Sequence, residues 1–259
     1  MPAAAPGISF DRPGRTRAQP PQGAAPHRAP GASSLDLDAA TGVGSPGPGA
    51  GAPGPDAPPA PPRSPRFARA EVRVSAGQRA ILTVARPTVT LTRLQSAIGT
   101  LTVEAAVSSA VGDLRLGCAY ELRDGLSSTV QLTDGNRFAP PRSRRPVIVA
   151  SSERYDRIAV DLRQSPQLRR AGVYAFSVSR QPLRWGGTLI TTTLGGAQVD
   201  LPLEALEVGS VAMLLTLYNV RGEFVLRGEM QSFAGSVRDA VRAYGYDRIT
   251  WLDDRTVVE

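Results

Sequence analysis

From residue 71 onward the sequence is a succession of short apolar segments, each ended by Gly, Pro, Asp or Ser, and this punctuation removes most architectures at once. The clearest segment is 114–122, LRLGCAYEL, in which Leu114, Leu116, Cys118, Tyr120 and Leu122 fall on one side of a strict alternation. A strand turns successive side chains to opposite faces, so the other face of this segment holds Asp113, Arg115, Glu121 and Arg123. Ten further segments read as strands: 78–84, 88–94, 100–107, 146–150, 157–162, 173–180, 187–194, 197–203, 211–219 and 223–230. All are short and rich in β-branched and aromatic residues. Many short strands at such intervals predict a sandwich or barrel rather than a parallel α/β sheet.

Helical spacing is confined to two places. In FAGSVRDAVRAYG, residues 233–245, the apolar residues Ala234, Val237, Val241 and Tyr244 recur at helical intervals, and Gly245 supplies a stop. A weaker candidate is a turn around Pro166 to Arg170. The expected fold class is therefore all-β, a two-sheet β-sandwich with one C-terminal helix.

Composition divides the chain. Residues 1–66 hold 16 of the 23 prolines and almost no aliphatic or aromatic residues. Such a segment cannot bury enough apolar surface to offset its chain entropy, so a disordered Pro/Ala/Gly-rich tail is expected over 1–66 and one folded domain over 67–259. All 30 basic residues are arginine, which a GC-rich genome explains without any ligand. The net charge of +7 divides into +2 on the tail and +5 on the domain, a weak attraction for anionic partners once salt screens it. No apolar run reaches the roughly 20 residues that span a bilayer. The opening MPAAAPGISF lacks the charged and apolar regions of a secretory signal, and a single cysteine suits a reducing compartment. A cytoplasmic protein is expected.

Most catalytic motifs fail on context. GVGSPG (42–47) and GAGAPG (49–54) match a dinucleotide fingerprint in letters only, since neither joins a strand to a helix. Without lysine there is no P-loop. The one histidine, His27, lies in the tail, where no scaffold holds it as a base. Cys118 is on the apolar face of its strand and reads as a small buried hydrophobe. Asp253 and Asp254 are adjacent near the chain's end, where no cleft is expected between them. Neither an enzyme nor a bound cofactor is expected.

Residues 211–251 carry a resemblance. An apolar strand ending in Tyr218, a polar turn, EFVLRGEMQSF, and a glycine-containing helix ending AYG follow one another as in the TerD family of tellurium-resistance and stress-response proteins. Upstream, SAGQRAILTV, TLTVEAAVS, GDLRLGCAYEL, RYDRIAVDL and VYAFSVSR resemble that family's earlier strands in the same order. The resemblance spans about residues 71–251 and implies a β-sandwich that in typical members binds calcium. It also implies that an Asp-Leu-Asp strand and an acidic loop supply the oxygen ligands, of which calcium takes six to eight.

Here the pattern departs from the family. Asp113 matches the first aspartate, but Arg115 stands at the second, and a guanidinium has no acceptor with which to ligate calcium. The loop between Leu132 and Val147 retains Asp134 and gains Arg137, Arg142, Arg144 and Arg145. Arg115 then has three readings: a solvated pair with Asp113, a cation in the metal's place paired with Asp113 and with Asp134 or Asp156, or a neighbour of a surviving metal site. The expected function is a binding or scaffold module with protein partners in a stress-response or tellurite-resistance assembly, its calcium site degenerate. The alternative is a binder of nucleic acid or another anionic surface through loop 137–145, since clustered arginine recognises phosphate.

Overall fold

The computed structural model describes residues 72–258. The segment 1–66 read as a disordered tail, with His27 in it, and the domain boundary at 67 lie outside the described residues. The elements in chain order are β1 (Arg73–Val74), β2 (Arg79–Ile81), β3 (Thr88–Leu91), β4 (Thr100–Ala106), β5 (Leu114–Leu122), β6 (Ser127–Gln131), β7 (Phe138–Ala139), β8 (Ile148–Ser152), β9 (Asp156–Asp161), β10 (Leu168–Ser177), β11 (Thr188–Thr193), β12 (Gln198–Pro202), β13 (Val211–Val220), β14 (Glu223–Phe233) and α1 (Val237–Ala243). They form two seven-stranded sheets, one ordered β1-β3-β14-β13-β10-β5-β6 and the other β2-β12-β11-β4-β9-β8-β7. The expected sandwich is the observed one. Both sheets are mixed, because β1 runs parallel to β3 and β2 parallel to β12 while the remaining pairs are antiparallel.

The two inner faces interdigitate into one core. All five alternating residues of β5 (Leu114, Leu116, Cys118, Tyr120 and Leu122) enter it, beside Leu101 and Val103 of β4 and Val173 and Ala175 of β10. A second apolar cluster lies on the outer face of the first sheet. Ala119, Tyr174, Phe176, Val211 and Met213 are buried there under Val237, Ala240 and Val241 of α1 and under Tyr246, Ile249 and Val257 beyond it. We call this the covered sheet and its partner the open sheet. Gly117 allows the close approach: a Cβ there would lie 2.4 Å from the Tyr174 ring, which crosses β5 at that point.

Local chemistry starts and stops α1. The Ser236 hydroxyl accepts from the Asp239 N–H, and the Asp239 side chain accepts from the Ser236 N–H, a capping box. The stop falls at Gly245, at φ 73°. The weaker helical candidate is corrected. A 3-10 turn spans Leu162–Gln167, and Leu168 begins β10, so Arg169 and Arg170 lie on a strand. Among the described residues no helix is long and apolar enough to cross a membrane.

Candidate functional site

Asp113 precedes β5 opposite the end of β10, where Ser177 pairs with Leu114. Its carboxylate accepts from the Ser177 hydroxyl at 2.7 Å and the Ser179 N–H at 2.6 Å, closing the turn that leaves β10. Burial by itself would raise its pKa, but the Ser177 and Ser179 hydrogen bonds outweigh it and hold the carboxyl below the usual range.

Arg115 pairs with Asp156, Nη1 to Oδ1 at 3.4 Å, and the expected pairing with Asp113 is corrected. The reason lies at the edge of β5. Strand β6 ends opposite Gly117, so on that edge of β5 the Leu116 N–H has no β6 residue to bond, while β10 lies along the other edge. Asp156, the buried first residue of β9, fills the gap, accepting from that N–H through Oδ2 at 3.0 Å. One carboxylate of β9 thus bonds β5 of the other sheet, and the half-exposed Arg115 guanidinium caps it.

Asp134 belongs to a third set. It accepts from the Gln131 side-chain amide and the Thr133 hydroxyl, and Arg255 Nε stands 3.9 Å away. Burial pushes its pKa up, assisted by the like charge of Asp253 and opposed by Thr133, Arg255 and Gln131. Gln131 also donates to the Arg255 carbonyl, so this group fastens the C-terminal segment to the turn after β6.

Calcium fits this arrangement poorly. Asp113, Asp134 and Asp156 lie in three separate hydrogen-bonded sets, two of them facing a guanidinium, and the ion wants six to eight converging oxygens. Among the described residues no three His, Cys, Asp or Glu side chains converge on one point. Cys118 is fully buried, which pushes its thiol up to about 12 and leaves it protonated at neutral pH.

The arginine loop is differently placed. Arg137, Arg142, Arg144 and Arg145 are all exposed, and none has an ion-pair partner among the described residues. The loop reaches a cleft of about 300 Å³ through Pro141, which lines it with Gly125, Ser127, Ser128, Arg248 and Thr250. A second cleft of about 260 Å³ lies between the end of β10 and the start of α1, lined by Phe176, Ser177, Arg180, Val211, Ser236 and Arg255.

Of the partners, Asp156 is among those expected for Arg115, and the others carry no local signal. Nothing local marks Ser177 and Ser179 as the acceptors' donors for Asp113, and Arg248 gave no signal beyond its charge. Glu121 had a signal, being a charge on a strand whose neighbours are apolar. The structure buries it between Arg169 and Arg170, each at 2.8 Å. No protein-family model matches the chain, and no curated protein matches it.

Proposed function

We propose that residues 72–258 form a TerD-like, non-catalytic binding module, acting in the cytoplasm as a scaffold in a bacterial stress-response or tellurite-resistance assembly. Its calcium-type position has been taken over by the protein's own bonds. The observation that carries this reading is Asp156: both of its carboxylate oxygens are engaged, one by Arg115 and one by the Leu116 N–H. A divalent ion there would meet a fixed positive charge, at a cost of several kcal/mol for charges a few ångströms apart at an effective dielectric of 20. Calorimetric titration of the full chain with calcium tests it. The expected result is no binding, and a dissociation constant below about 100 µM overturns it.

A second reading is favoured by the four exposed, unpaired arginines of 137–145, which suit an anionic surface. It predicts binding of a polyanion whose log K falls linearly with log salt. A gel shift at about 50 mM salt with no salt-sensitive complex removes it.

A further inference from the structure

Three arginine-bearing segments meet at the 300 Å³ cleft beside the β5–β6 turn. Gly125 and Leu126 line it from the turn that also carries Arg123, and Pro141 lines it next to Arg142, with Arg144 and Arg145 close behind in sequence. Arg248 and Thr250 line it from the segment after α1. None of Arg123, Arg142, Arg144, Arg145 and Arg248 pairs with a carboxylate among the described residues.

Exposed Asp247 adjoins Arg248 in sequence, and two other nearby acids are engaged. Asp124 accepts the Leu126 N–H at 3.0 Å, and Glu121, which also feels Arg248, is bonded by Arg169 and Arg170. The 260 Å³ cleft makes the contrast plain. There Arg255 faces Asp134 and Arg238 pairs with Asp254 at 2.9 Å, which leaves Arg180 as the lining arginine with no carboxylate partner among the described residues. Positive charge left uncompensated around a concave site raises the local concentration of anions.

The lining narrows the chemistry. Arg248 offers a planar fork of donors, and Ser128 and Thr250 offer hydroxyls; the Ser127 hydroxyl already donates to the Tyr120 carbonyl. A guanidinium with hydroxyls matches a tetrahedral oxyanion. Among the described residues no aromatic side chain lines the cleft, so a nucleobase would find nothing there to stack on. Its volume is at the small end for ligand sites, enough for one phosphoryl group and a few attached atoms.

We infer that this cleft binds a small phosphate monoester, with Arg248 gripping the phosphoryl oxygens, Ser128 and Thr250 donating to them, and the loop arginines supplying the attracting field. The inference rests on the anionic reading above and names its ligand class. At neutral pH such a group carries close to two negative charges.

The test is calorimetry on the full chain at about 50 mM salt, with inorganic phosphate and free O-phosphoserine as probes and a single-stranded oligonucleotide as competitor class. Expected are dissociation constants near or below about 1 mM for phosphoserine. Arg248→Ala should weaken binding about tenfold, and Arg248→Lys should fail to restore it because an ammonium cannot fork. Arg180→Ala, in the other cleft, should leave it unchanged. Arg248 is exposed, so both variants should unfold at the wild-type temperature, which a thermal melt checks. Unaltered phosphoserine binding in Arg248→Ala overturns the inference. So does oligonucleotide binding that needs Arg142, Arg144 and Arg145 but not Arg248, although the broader anionic reading then stands. If phosphate, phosphoserine and the oligonucleotide all fail to bind, both fall; if the oligonucleotide alone binds, only the inference falls.

Discussion

The covered and open sheets have the same number of strands and differ in what lies on their outer faces. On the covered sheet, the outward side chains of β5, β10 and β13 include Ala119, Tyr174, Phe176 and Met213, all buried under α1 and the segment that follows it. On the open sheet, β4, β9 and β11 alternate between buried and half-buried positions, and their outward residues include Glu104, Arg157 and Ile190. Burial on both faces changes what a charge needs. Glu121, on the covered face, is held by Arg169 and Arg170, and Arg170 also donates to the Tyr244 and Gly245 carbonyls and stacks 4.2 Å over the Tyr246 ring. Arg157 on the open face has, among the described residues, the single ion-pair partner Glu104, with both side chains in reach of water.

The largest effect that would sharpen this contrast is at Tyr246. Tyr246→Ala empties a buried ring position beneath Arg170 and should cost about 3–5 kcal/mol in denaturant unfolding. Ile190→Ala, half-buried on the open sheet, should cost about 1–2 kcal/mol. Equal losses would break the comparison. Next come the charges. Arg170→Ala leaves Glu121 short of a partner and the end of α1 uncapped, and should cost about 2–4 kcal/mol. Arg157→Ala on the open face should cost about 0–1 kcal/mol, measured the same way.

The smallest expected effect is a pH dependence with a definite sign. Burial alone would raise the pKa of Glu121, but the Arg170 hydrogen bond and the charges of Arg170, Arg169 and Arg248 lower it from its ordinary 4.5. A carboxyl with a depressed folded pKa binds fewer protons folded than unfolded. Its contribution is complete above about 4.5 and is lost as pH falls through the lower, folded value. Glu121→Gln should therefore flatten the acid limb of a stability–pH curve. Asp134, with its pKa raised, acts in the opposite direction, so Asp134→Asn should steepen the fall toward acid pH.

Legibility in the sequence followed the same division. The bounds of β5 agree with the alternating run 114–122, and β4, β11 and β12 fall within a residue of the expected segments. Strand β10 starts five residues before the expected 173, because LRRAG shows two arginines and a glycine where an apolar run was sought. Strand β6, SSTVQ, escaped notice altogether. Its Ser128 and Thr129 are polar by type yet buried, Thr129 beside Ala119 of the covered outer face. Of the candidate site, the sequence reading offers Asp113, Asp134 and Asp156 as partners for Arg115, and the structure selects Asp156. Asp156 is 41 positions away and Ser177 is 64 positions from Asp113.

By itself the sequence determined most of the strands, the sandwich and the helix with its glycine stop, because period-two burial and turn chemistry act over a few residues. Only the tertiary structure decided which sheet is covered, which carboxylate answers Arg115 and which arginines are left without one. Those depend on which distant segments meet across the sheets, and an ion pair leaves no trace in the local pattern of either partner.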